Sequence, residues 1–79
     1  MKYVYMLQSI EAPDNFYVGA SVDLKQRLRQ HNAGESVHTR KFKPWRVEGY
    51  IAFSDHAKPD RFERYLKTGS GRAFAKRHF

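Results

Sequence analysis

Five side chains in this sequence carry chemistry that packing alone does not require: Tyr5, Tyr17, Arg27, His31 and Glu63. Two of them sit on a helix read from Val22 to about Asn32. At about 100° per residue, Leu24 and Leu28 lie roughly 40° apart and mark its inward face. Arg27 falls about 60° to one side of Leu24 and His31 about 20° to that same side. Lys25, Gln26, Arg29 and Gln30 fall on the other sides, as a solvated face should. A guanidinium on an apolar face is costly unless it has partners. Either its stem passes the core edge beside a hydrogen-bonded histidine, or the pair serves a polar site built on adjacent strands. Glu63 lies about 60° from Leu66 on a later helix. It can pair with Lys67 four residues on, or offer the single carboxylate that a hard, hydrated divalent cation takes from a protein. Tyr5 and Tyr17 stand in strand-like runs, where tyrosine is ordinarily a half-buried packing residue. Gly19 just beyond marks a turn or a close backbone approach.

Other patterns carry less. The four histidines, His31, His38, His56 and His78, show no zinc spacing. Gly69-Ser70-Gly71-Arg72 lacks the Gly-Lys-Ser/Thr of a phosphate-binding loop; it reads as a helix–helix joint, although amides at a helix start also hold phosphate. No Ser/His/Asp triad can be assembled.

The elements that must position these residues follow from 79 residues with no cysteine. Disulfides, thiolate zinc sites and cysteine nucleophiles are excluded, and the length fits a single domain over residues 1–79. Twelve aromatic residues supply large buried areas in place of covalent staples. Tyr3–Leu7 and Phe16–Gly19 read as strands joined through Glu11-Ala12-Pro13-Asp14-Asn15, an antiparallel hairpin. Ser21 is the expected cap of the first helix, Asp23 a favourable acid in its first turn, and Gly34 its stop. A basic loop follows, then a third strand from Trp45 to Phe53. Pro59 opens a second helix running to Gly69, and Arg72–Phe79 forms a third, capped by Ser70. The order β-β-α-β-α-α gives an α/β chain of the α+β type, a three-stranded, mostly antiparallel sheet flanked by helices.

The net charge is +7, and it is uneven: +1 over residues 1–40 and +6 over residues 41–79. Such a balance points to a polyanion. No stretch approaches the roughly 20 apolar residues of a membrane helix, and no signal core with a cleavage site opens the chain. The expectation is a soluble cytoplasmic protein that does not engage a membrane.

Tyr3-Val4-Tyr5, eleven intervening residues, Tyr17-Val18-Gly19, then Arg27, His31-Asn32, Glu63 and Lys67-Thr68-Gly69-Ser70-Gly71-Arg72 together resemble the GIY-YIG nuclease superfamily over nearly the whole chain. The likeness is greatest to its small single-domain subgroup, similar to the nuclease module of excision-repair nucleases. Tyr3 stands where the family has its first glycine, Val4 replaces isoleucine, and no asparagine follows Asn32. The resemblance implies catalytic roles for Tyr5, Tyr17, Arg27, His31 and Glu63, with Glu63 the protein ligand of Mg²⁺ or Mn²⁺. Tyr17 would be the general base, with Tyr5 or His31 positioning water or proton. A tyrosine base needs its pKa lowered from about 10, and a nearby metal and Arg27 both act that way. Arg40, Lys41, Lys43, Arg46, Lys67 and Arg72 would grip phosphate without reading sequence. The implied activity is divalent-metal-dependent endonucleolytic hydrolysis of DNA, branched or damaged, in repair or recombination, with a protein partner or homodimer for targeting. The alternative is a nucleic-acid-binding module of the same fold without catalysis.

Overall fold

The computed structural model describes residues 1–55 and 58–78. Three strands, β1 (Lys2–Ser9), β2 (Phe16–Ser21) and β3 (Trp45–Phe53), form one antiparallel sheet in the order β2-β1-β3. Helix α1 (Leu24–Asn32) follows the hairpin, and α2 (Lys58–Leu66) and α3 (Gly69–His78) follow β3. The element order is therefore the expected β-β-α-β-α-α, an α+β fold. A single 3₁₀ turn, Arg40–Phe42, interrupts the loop before β3. Among the described residues no helix is long and apolar enough to cross a membrane.

The central strand has helices over both its faces, and its side chains divide accordingly. Val4 and Met6 join Leu66, Ala75, Phe62 and Phe74 in a core beneath α2 and α3. Tyr5 and Leu7 point the other way, into a core with Trp45, Leu24, Leu28 and Tyr17 beneath α1. The period-2 alternation of a strand thus serves two separate apolar layers. Hydrophobic burial in both layers is what fixes the tyrosine-bearing face toward α1.

Four local expectations need correction. Asp23, not Ser21, caps α1: its carboxylate accepts from the Gln26 amide at 3.0 Å. Ser21 still pairs with Tyr3 in the sheet, which leaves Asp23 the first cap-forming side chain beyond the strand. Helix α2 ends at Leu66, well short of Gly69. Thr68, not Ser70, starts α3, its hydroxyl accepting from the Gly71 amide at 3.1 Å. Gly69-Ser70-Gly71 accordingly forms the first turn of α3 and not a break before it. Gly34 does stop α1, with φ at +79°, the left-handed region that glycine enters without strain. His56 and Phe79 lie outside the described residues.

Candidate active site

The hairpin and α1 bring four of the five singled-out residues together. Tyr5 faces Gly19 across the β1–β2 pairing, and Tyr17 faces Leu7. Because Gly19 has no side chain, the Tyr5 ring lies across it toward the edge strand. A Cβ on Gly19 would fall 2.5 Å from the Tyr5 hydroxyl and 3.1 Å from Tyr17 Cε2. The Tyr17 and His31 rings lie 5.2 Å apart between centroids, and Tyr5 and His31 6.0 Å. The Tyr5 hydroxyl is hydrogen-bonded to His31 Nε2 at 3.0 Å, and His31 Nδ1 to Thr39 Oγ1 at 2.7 Å. Tyr5, His31 and Thr39 are all buried.

Burial decides the ionisation of this cluster. It pushes the Tyr5 phenol up to about 12, against a smaller opposing pull from the Arg27 guanidinium. Tyr17 and Glu63 also act on Tyr5 electrostatically, both upward. His31 is held below the usual histidine value, first by burial and then by the positive charge of Arg27. At neutral pH both groups are uncharged, which is the state a buried pair adopts without a counter-ion.

Arg27 follows the first of its two expected readings, the stem that passes the core edge beside a hydrogen-bonded histidine. It is exposed, and its guanidinium reaches Gln30 Oε1 at 3.2 Å. Leu24, Leu28 and His31 take the inward face, and the long arginine stem carries the charge past the rim. The charge nonetheless acts on both Tyr5 and His31. Glu63, on α2, belongs to the opposite layer and is the weakest of the charges that act on Tyr5. Its Oε2 pairs with Lys67 Nζ at 3.0 Å, as the i,i+4 spacing predicts. The same ammonium lies 5.9 Å from the centre of the Tyr17 ring. Among the described residues no group of three His, Asp or Glu side chains could hold a metal. The carboxylate of Glu63 is the donor on offer at this site, and its side chain is 24% exposed. One carboxylate suits a hard cation that keeps most of its water, so the residues fit Mg²⁺ or Mn²⁺.

The six basic residues read as phosphate contacts are exposed, but they do not share one face. Arg40 and Lys41 lie in the 3₁₀ turn, Lys41 5.5 Å from the Phe42 ring centre, and Lys43 precedes β3. Arg46 is already engaged by Glu48 at 2.9 Å and by Gln8. Lys67 and Arg72 instead line a cleft of about 750 Å³ between β2 and the α2–α3 pair, together with Tyr17, Leu66 and Lys76. Lys76 was legible in principle, because it lies four residues after Arg72 on the same helix face. Thr39 had no such signal, since its loop has no periodicity. Asn32 proves structural: its side chain accepts from the Trp45 amide at 2.6 Å and donates to the Trp45 carbonyl at 3.1 Å, pinning the end of α1 to β3.

Comparison with known proteins identifies the family. Residues 1–77 match the model of the GIY-YIG catalytic domain. The structure-specific endonuclease subunit SLX1 of Scheffersomyces stipitis is 46% identical over 50 residues, 56% of this chain and 15% of that protein. The SLX1 subunit of Kluyveromyces lactis is 40% identical over 53 residues, 60% of this chain and 18% of that protein. The UPF0213 protein Reut_B5558 of Cupriavidus pinatubonensis is 38% identical over 52 residues, 65% of this chain and 56% of that protein. The chain thus spans less than a fifth of the SLX1 proteins it matches and about half of the bacterial one. With the family model covering almost its whole length, the chain belongs to the GIY-YIG catalytic domain family.

Proposed function

We propose that this chain is an endonuclease domain that hydrolyses DNA phosphodiester bonds with the help of a divalent cation. The observation that carries the reading is the match of residues 1–77 to a nuclease family's catalytic domain, on a chain whose Tyr5 hydroxyl is hydrogen-bonded to His31 with Tyr17 packed on the same imidazole. Glu63 would hold the ion after release from Lys67, an ion pair of the exposed kind worth no more than about 1 kcal/mol. A bound Mg²⁺ or Mn²⁺ would supply positive charge beside the scissile phosphate and the leaving oxygen. Arg27 contributes fixed positive charge where the phosphoryl group gains negative charge. Tyr17, on the edge strand and only partly buried, would pass its phenolic proton to solvent and take one from the attacking water, as that oxygen bonds to phosphorus and the bond to the leaving oxygen breaks. Tyr5 holds its proton and donates a hydrogen bond, the role suited to a phenol pushed up to about 12. Lys67, Arg72 and Lys76 bind phosphates along the cleft beside Tyr17.

Structure-specific cutting, which the name of the SLX1 relatives states for them, is proposed for this chain also, with branched or damaged DNA as its substrate. A protein partner or a second copy would direct it to its site. Purified protein incubated with branched, flapped and plain duplex DNA and Mg²⁺ or Mn²⁺ tests the reading. Cutting that Glu63→Ala abolishes supports it. Salt-dependent DNA retention with no cleavage under any metal refutes it and leaves a binding module.

A further inference from the structure

The cleft of about 750 Å³ between β2 and the α2–α3 pair has more in it than phosphate contacts require. A phosphate backbone needs surface cations and nothing beneath them. Here Lys67, Arg72 and Lys76 stand beside an apolar floor of Met6, Val18, Leu66 and Ala75. The volume lies within the roughly 300–1,000 Å³ of pockets that enclose a small ligand. Phe16, on the edge strand, also lines the cleft and is 51% exposed, an aromatic face open to solvent. The carboxylate of Glu48 lines it from β3, its side chain 29% exposed. Glu48 Oε2 is buried against Arg46 at 2.9 Å, which leaves Oε1 to accept from a ligand. A paired duplex presents only phosphate to such a cleft. An unpaired nucleotide presents three matching features: a phosphate for the cations, a flat face for Phe16 and the floor, and an N–H donor on its Watson–Crick edge for Glu48.

We propose that the cleft takes an unpaired base of the DNA substrate, stacked on Phe16, with its phosphate held by Lys67, Arg72 and Lys76. The inference rests on the nuclease reading only for the identity of the polymer. Two residues join the cleft to the reactive group. Tyr17 lines it, and Lys67 Nζ lies 3.0 Å from Glu63 Oε2 and 5.9 Å from the centre of the Tyr17 ring. The seated base therefore belongs to a nucleotide close to the one that is cut, and pairing is sensed beside the scissile bond. A base must leave its stack to enter, at a cost that is least where it is already unpaired, as in flapped, branched or damaged DNA.

Binding measured in EDTA, where a metal-dependent nuclease cuts nothing, tests the proposal. The probes are a duplex with one unpaired adenine, the same duplex with an abasic site at that position, and the fully paired duplex. Fluorescence anisotropy should show the unpaired adenine bound about tenfold or more tighter than the other two. Phe16→Ala, at an exposed position, removes that preference and Phe16→Trp keeps it, while the paired duplex is bound equally by all three proteins. Amide chemical shifts give the second arm. Deoxyadenosine 5′-monophosphate should move the resonances of Phe16, Val18 and Glu48, and deoxyribose 5-phosphate only those of residues 67–76. Equal affinity for the three duplexes, or identical shifts with the nucleotide and the sugar phosphate, overturns the proposal. If Phe16→Ala does not fold, the wild-type duplex series and the shifts decide. A wild-type protein that prefers the unpaired adenine but cuts no DNA with any metal refutes the nuclease reading and leaves the base site. One that cuts, yet binds all three duplexes equally, does the reverse.

Discussion

Gly19→Ala tests the geometry of the site at its narrowest point. The added methyl would stand 2.5 Å from the Tyr5 hydroxyl, 2.7 Å from its Cζ and 3.1 Å from Tyr17 Cε2. Tyr5 cannot swing aside, because it is 1% exposed and packed under α1. Gly19 does not have a positive φ, so the backbone itself accepts alanine. In open space the substitution would be neutral or stabilising in a strand. Here it forces overpacking of about 1–3 kcal/mol and stretches the Tyr5–His31 hydrogen bond, about 1 kcal/mol more. The sum, about 2–4 kcal/mol, is a large share of the roughly 4–12 kcal/mol expected for a chain of this size. At about 4–8 °C per kcal/mol, Tm falls by about 8 °C or more. Thermal melts followed by circular dichroism measure this, and cleavage kinetics should show a parallel loss of kcat. An alanine variant that melts at or above the wild-type temperature and cuts normally would refute the close approach and the site built on it.

Three further outcomes follow from the same structure. At Gly71 a Cβ would lie 1.7 Å from the Tyr65 carbonyl oxygen, whereas at Gly69 it would meet nothing within 4 Å; Gly71→Ala should cost about 3 kcal/mol or more in urea titrations, and Gly69→Ala should be neutral or stabilising. Stability should also have two pH limbs. The unfolded chain protonates His31 near pH 6.5 while the folded chain resists, so stability is full above that value and falls with acid. The unfolded chain releases the Tyr5 proton near pH 10 while the folded chain keeps it to about 12, so stability falls across that window. Tyr5→Phe should flatten the alkaline limb; an unchanged slope in denaturant midpoints would contradict the burial argument. Replacing Arg72 and Lys76 together by alanine should make the plot of log binding constant against log salt shallower by about 2, and an unaltered slope would remove the cleft from the DNA path.

The fold was legible because its signals are local and redundant. Trp45–Phe53 is apolar, aromatic and bounded by Pro44, and it forms β3 over just those residues. Capping was misplaced where two cap-forming residues compete: choosing Asp23 over Ser21 needs the pairing of Ser21 with Tyr3, which spans the hairpin. The angular position of Arg27 was sound, but angle says nothing of a four-atom stem, and the guanidinium ended outside the core. Thr39 was invisible because its burial depends on Trp45 folding over the preceding loop, a contact that no spacing within that loop encodes. The pairing of Glu63 with Lys67, one helical turn long, was readable directly.

Strand β1 feeds two cores with alternate residues, and this has a bearing on accuracy in folding. A slip of one residue against its neighbours would bury Val4 and Met6 under α1 and send Tyr5 between α2 and α3. The phenol would then lose His31 and meet only hydrocarbon. The misregistered chain would pay twice, in packing on one side and in an orphaned hydroxyl on the other. A slipped register therefore loses stability and misplaces the tyrosine together. Stability and correct placement of the reactive group are one test, applied by a single strand, and the fold proofreads its own site.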